Sequence, residues 1–278
     1  MNYLKALLLG LIEGVTEWLP ISSTAHMAIF NKFINFDVST DFYNVFEVVI
    51  QFGAVLSLLF VFIKKIWPFG KSNNPLGKGI LENVKKDKII LWLKIIVACI
   101  PAIIYELFLD DKLNIVNENN EMLVIGLSLL IVGIIFIIVE ILIKGKQFSV
   151  TSIKNISFSS AFIIGVAQLL AGVFPGVSRS GATIIAGLLL GISRSVITEF
   201  TFELSIPVMF GASLMKIIKF GMVFSFNEIL LLILGSISAF IVSLFMIKFI
   251  LDYIKKNNFI IFGIYRILMG IIVLLFLR

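Results

Sequence analysis

Glu13, Glu17, His26 and Arg179 all lie in two interrupted apolar stretches, where charge is costly. At the centre of a bilayer a charge costs roughly 2.5–3.5 kcal/mol on insertion scales, so each needs a partner or a task. Glu13 and Glu17 stand four apart and share one face of a helix. Two carboxylates so placed are tolerable when a divalent cation or an arginine sits between them, or when one keeps its proton. Oxygen ligands favour Mg²⁺ or Ca²⁺ over zinc. The blander alternative is an amphipathic first helix in the interface with both acids in water.

Ser22, Ser23, Thr24 and His26 follow a break at Pro20. They stand where a new helix begins, and the free N–H groups and positive dipole end of such a helix suit an anion such as phosphate. A serine there is also an ordinary N-cap. His26 is the only histidine, and it lies close in sequence to two hydroxyls and two acids. A hydroxyl nucleophile needs a base in reach, which is the functional reading of that proximity. The second break runs from Pro175 to Thr183. Gly176 allows close backbone approach, Ser178 and Ser180 can donate to anionic oxygens, and Arg179 offers a planar fork that pairs with phosphate. Its alternative is a helix cap beside an arginine that snorkels to the surface. Two acids for a cation, hydroxyls, an imidazole and a guanidinium are the parts that phosphoryl transfer calls for.

The elements that must position these groups follow from composition. Of 278 residues, 59% are hydrophobic and 14% charged, with mean hydropathy +1.09. Soluble domains carry about 25% charge, so lipid is the main solvent. The net charge of +6 comes from lysines clustered between apolar spans, which speaks for topology signals and not for nucleic acid. Cys99 is the single cysteine, which excludes a disulfide within the chain and a zinc site of the usual kind. Lys5 with Ala6–Gly10 resembles a signal peptide, but Glu13 and Glu17 interrupt the apolar run, so the N-terminus reads as mature protein.

The expected fold is all-α: a polytopic membrane bundle of six transmembrane helices at about 42–63, 89–109, 122–143, 196–218, 228–251 and 259–277. Two further apolar stretches, Tyr3 to Phe33 and Phe158 to Ile192, are broken at residues 20–23 and 175–178. Each half is too short to cross about 30 Å of hydrocarbon, so both are expected to be re-entrant helix–loop–helix hairpins. The seven lysines within 64–88 place that loop in the cytoplasm, and Asp110, Asp111, Glu118 and Glu121 place the next one outside. Both termini come out external. Lys216 and Lys219 fall on the outer side, against the charge rule.

The broken stretches match each other. Gly10, Glu13, Pro20 and the pair Ser22-Ser23 line up with Gly165, Gln168, Pro175 and Ser178, and Phe46-Glu47 with Phe202-Glu203. One membrane domain, 1–278, would then hold two repeats, about 1–155 and 156–278. Each repeat has one hairpin and three spans, an odd number, so the second is inverted and the broken tips meet near the midplane.

Glu13 to His26 and Pro175 to Thr183 resemble the motifs of the bacitracin-resistance family of undecaprenyl-diphosphatases, with weaker matches at Phe46 to Gln51, Glu199-Phe200 and Ile264-Tyr265-Arg266. The resemblance spans essentially the whole chain. Where that family has a glycine before the histidine, this sequence has Ala25. The resemblance implies removal of the terminal phosphate from a lipid diphosphate, a cell inner-membrane location, a site open to the outer face and a divalent cation, Mg²⁺ or Ca²⁺. Carried over, Glu13 and Glu17 are the metal-binding acids, with Glu17, Ser23, His26 and Arg179 catalytic. Ser22, Thr24, Gly176, Ser178 and Ser180 bind the substrate phosphates. Ser23, His26 or a water could be the nucleophile, with His26 as the expected base. A transporter of lipid phosphate would use the same architecture. A two-histidine lipid phosphatase is excluded by the single histidine. A homodimer is compatible with the sequence, which does not fix oligomeric state.

Overall fold

The computed structural model describes residues 2–69, 85–108 (side chains of 106–108 excepted), 116, 120–221 and 223–277. Among them are ten α-helices and no β-strand. The chain is an all-α polytopic membrane bundle. Six helices are long and apolar enough to cross a bilayer: α3 (Thr40–Ile66), α4 (Lys86–Phe108), α5 (Glu121–Ile143), α8 (Arg194–Phe220), α9 (Phe226–Ile254) and α10 (Ile260–Ile272), which winds on as a wider turn to Leu277. These are the six expected spans; the first five start one to three residues earlier than expected, and the last runs Ile260–Leu277. Lys71, Lys78, Glu82, Asp110, Asp111, Lys112 and Glu118, on which the loop charges partly rest, lie outside the described residues.

Four helices are shorter: α1 (Asn2–Thr16), α2 (Ser23–Ile34), α6 (Phe158–Val173) and α7 (Arg179–Leu189). At 1.5 Å per residue they run roughly 16–24 Å, less than the hydrocarbon thickness. Helix α1 stops before the expected break, at Thr16, and Glu17 to Ile21 form turns. The Glu17 amide still donates to the Glu13 carbonyl at 2.9 Å, so the two acids keep helical spacing across the helix end. Helices α2 and α7 start alike. Ser22 (φ 75°) and Ser178 (φ 72°) are both N-caps in the left-handed region. Their hydroxyls accept from Ala25 N and Gly181 N. Non-glycine residues hold such a conformation only where surroundings enforce it.

Packing repeats the match. Helix α1 lies along α9 as α6 lies along α4, while α3 packs on α8 and α5 on α10. Among the described glycines, Gly10 and Gly165 make the two tightest approaches to another backbone. A Cβ on Gly10 would stand 2.2 Å from the Gly235 carbonyl oxygen, and one on Gly165 would stand 2.3 Å from that of Ala98. Both obstacles are backbone, so no larger residue fits. The main core carries Trp18 edge-on against Phe202, with centroids 5.1 Å apart, directly under the first break. Below it, the fully buried Glu140 accepts a forked pair from Arg194 and the Phe259 amide at 3.0 Å, which ties α5, α8 and the start of α10 together.

Candidate active site

The turn before α2 and the cap of α7 face one cavity of about 360 Å³. Glu17, Ser22, Ser23 and Thr24 line it from the first break. Gly176, Ser178, Arg179 and Ser180 line it from the second. Residues more than 150 positions apart therefore share one wall. Gly176 has φ 92°, and a Cβ there would meet the Ile125 carbonyl at 2.8 Å, so the turn and the packing both require glycine.

A chain of short hydrogen bonds crosses the wall. Ser23 Oγ donates to Glu17 Oε2 at 2.6 Å, and Arg179 Nη2 donates to Glu17 Oε1 at 2.6 Å. Arg179 Nη2 also touches Met209 Sδ at 3.3 Å. Its other terminal nitrogen, Nη1, is buried and has no hydrogen-bond partner. A buried guanidinium donor left unpaired beside a serine and a carboxylate is poised for an anionic oxygen.

His26 takes a different place from the one its sequence position suggested. Its Nδ1 lies 2.7 Å from the Ser22 carbonyl and its Nε2 lies 2.7 Å from Tyr265 Oη. A carbonyl only accepts, so Nδ1 carries the proton, and in the neutral ring Nε2 accepts from the tyrosine. The imidazole is 2% exposed and lies off the cavity wall. The group beside Ser23 Oγ is the Glu17 carboxylate, because the break turns Glu17 inward while His26 sits one helical turn into α2, against Tyr265 of α10. Here His26 is a positioning residue for the Ser22 turn.

Glu13 is fully buried, and neither of its carboxylate oxygens has a hydrogen-bond partner. The charged groups acting on it include Glu17, Glu47 and Arg179. The alternative with both acids in water does not describe these residues, since Glu17 is only 7% exposed. No cluster of three acidic, histidine or cysteine ligands occurs among the described residues. Two carboxylates nonetheless suffice for Mg²⁺ when substrate phosphates and waters complete the shell, and Glu13, which adjoins Glu17 but does not itself line the cavity, has no donor on either carboxylate oxygen. The donor set therefore fits a divalent cation.

The site also depends on a residue given no role on sequence grounds. Arg266 is fully buried. It donates to the Pro20 carbonyl at 3.1 Å and to those of Gly176 and Val177 at 2.7 and 2.9 Å. One side chain thus pins both breaks and satisfies carbonyls that neither helix end could. An arginine within the apolar run 259–277 was the signal for it. Arg266→Met should leave three buried carbonyls unpaired and cost roughly 3 kcal/mol or more, at 1–3 kcal/mol each. Arg266→Lys should restore only part, since one ammonium cannot span both breaks. Thermal melts in detergent read this directly, and an unshifted midpoint for the methionine variant would remove Arg266 from this role.

Fold and site together define a polytopic α-helical membrane protein with a serine–carboxylate–guanidinium site built from two helix breaks. The chain belongs to the family described as bacitracin resistance protein BacA, which it matches over residues 6–272. It is 50% identical to a protein of Desulfitobacterium hafniense over 98% of this chain and 95% of that one. It is 49% identical to one of Clostridium acetobutylicum (99% and 97% covered) and 46% identical to one of Enterococcus faecalis (98% and 96%). The first and third of these relatives are named undecaprenyl-diphosphatase, the second undecaprenyl-diphosphatase 1.

Proposed function

We propose that this protein hydrolyses undecaprenyl diphosphate to undecaprenyl phosphate and inorganic phosphate, recycling the lipid carrier of cell-wall synthesis. The observation that carries the mechanism is the Ser23–Glu17–Arg179 chain on the cavity wall, with Arg179 Nη1 unpaired. Ser23 Oγ attacks the terminal phosphorus as Glu17 Oε2 takes its proton. The bond from that phosphorus to the bridging oxygen breaks, and the lipid phosphate leaves. Glu17 hands that proton to the departing lipid phosphate, then takes one from a water as its oxygen attacks the phosphoserine; the bond from phosphorus to Ser23 Oγ breaks, the serine oxygen recovers the proton from Glu17, and inorganic phosphate leaves. Arg179 Nη1 meets the charge on the transferred phosphoryl oxygens. The capped N-termini of α2 and α7 add positive potential from either side.

Glu13 and Glu17 would hold a divalent cation, Mg²⁺ or Ca²⁺, which when bound neutralises diphosphate charge. The matching caps at Ser22 and Ser178 and the paired packing of α1 on α9 and α6 on α4 support two re-entrant hairpins in inverted repeats. Membership of the family supports a cell inner-membrane location with the site open to the outer face, and the loop charges support external termini. The transporter reading shares this architecture, and no separate observation favours it.

Phosphate release from a C55 diphosphate by protein purified in detergent tests the activity, since an enzyme turns over without a second compartment. Chelator should lower the rate more than about tenfold, with recovery on adding Mg²⁺ or Ca²⁺. Full activity in chelator would remove the cation from the scheme, and no release under any condition would remove the reaction.

A further inference from the structure

We propose that Lys216 grips the lipid-bearing phosphate, the one that stays on the polyprenyl chain; this rests on the diphosphatase reading above. Lys216 opposes the charge rule for an outer-side segment. The structure gives it a place: it lines the same cavity as Ser23 and Arg179. Val208, Ala212 and Lys216 follow one another at four-residue spacing along α8, so one stripe of that helix forms this wall.

The stripe has a depth. Met209 touches Arg179, and Lys216 stands seven residues further on, about 10 Å along the axis. It lies one turn from the end of α8 at Phe220 and is exposed. The reacting groups are therefore deep, and Lys216 is at the mouth. A diphosphate enters with its terminal phosphate against Ser23 and its lipid-bearing phosphate behind, towards the mouth. When the bridging bond breaks, the electron pair goes to that second phosphate, whose charge rises by one until Glu17 hands it the proton.

Charge in the cavity supports this division. Among the described residues, the charged ones on this wall are Glu17, Arg179 and Lys216. Arg179 is already paired with Glu17, so the wall's net positive charge resides at Lys216. An ammonium on a flexible stem suits a phosphate held at variable depth by its lipid tail. Gln51 and Gln168 on the same wall are neutral and cannot supply that charge.

Product inhibition separates the two phosphate positions. With purified wild-type protein, both undecaprenyl monophosphate and inorganic phosphate are titrated as inhibitors of phosphate release. Lys216→Gln should weaken inhibition by the monophosphate about tenfold, the scale of one charge-assisted hydrogen bond. Inhibition by inorganic phosphate, which docks at Arg179, should stay within about twofold, and Lys216→Arg should restore the monophosphate value. Unchanged monophosphate inhibition, or equal weakening of both inhibitors, overturns the role of Lys216 while leaving the diphosphatase reading intact. Absence of turnover in the wild type overturns both.

Discussion

Ser23→Ala should abolish phosphate release to within the background, a loss of roughly 10³-fold or more, while the protein melts within a degree or two of wild type. Ser23 Oγ makes one described hydrogen bond, to Glu17, so its removal strips the nucleophile and little packing. Glu17→Gln should lose activity on the same scale, because an amide cannot take the serine proton. The double variant should be no worse than either single one, since nucleophile and base act as a unit and their losses do not add. A substrate labelled in its terminal phosphate provides the sharper reading. The wild type should yield an acid-stable phosphoserine after quenching and Ser23→Ala should not. Labelled enzyme in the alanine variant, or retained turnover, would hand the attack to another group. His26→Ala should cost far less than either, because the imidazole supports the Ser22 turn and does not touch Ser23.

Arg179→Ala should fail in two separable ways. It removes the donor aimed at the transferred phosphoryl, and charge-clamping arginines in phosphoryl transfer are worth roughly 10³–10⁵ in rate. It also leaves the buried Glu17 carboxylate without its cation, and breaking a buried pair from one side costs roughly 3–5 kcal/mol. Both partners are largely shielded here, with side-chain exposure of 16% and 8%. Arg179→Lys separates the effects. One ammonium can still pair with Glu17, so the melting temperature should largely recover, but it cannot hold the carboxylate and the phosphate with separate nitrogens. Turnover should therefore stay at least about 100-fold down. If lysine restored rate and stability together, the second guanidinium nitrogen would have no part in the reaction.

The sequence was most legible where its chemistry was costly. The six spans follow from hydropathy and length, because lipid forbids unsatisfied backbone and leaves helices as the spanning form. Glu17, Ser22, Ser23, Arg179 and Ser180 could be singled out for the same reason, as polar groups at breaks in apolar stretches. Lys216 announced itself only as a misplaced charge, and Arg266 as an arginine in an apolar span within a weak family match. Neither could be given a task without knowing which wall or which carbonyls it faced.

What the sequence by itself determined is an all-helical membrane chain with two polar interruptions, since solvent choice and helix periodicity are properties of the local string. Who pairs with whom was decided by tertiary structure. Sequence spacing puts His26 nearer to Ser23 than Glu17 is, three positions against six. The direction of the turn after Thr16, fixed by Arg266 on the Pro20 carbonyl and by Trp18 against Phe202, swings the carboxylate onto Ser23 and leaves the imidazole to Tyr265. Hydrogen bonds reach about 3 Å, far less than the uncertainty of any one-dimensional pattern, so only the packed helices could decide which group meets the Ser23 hydroxyl.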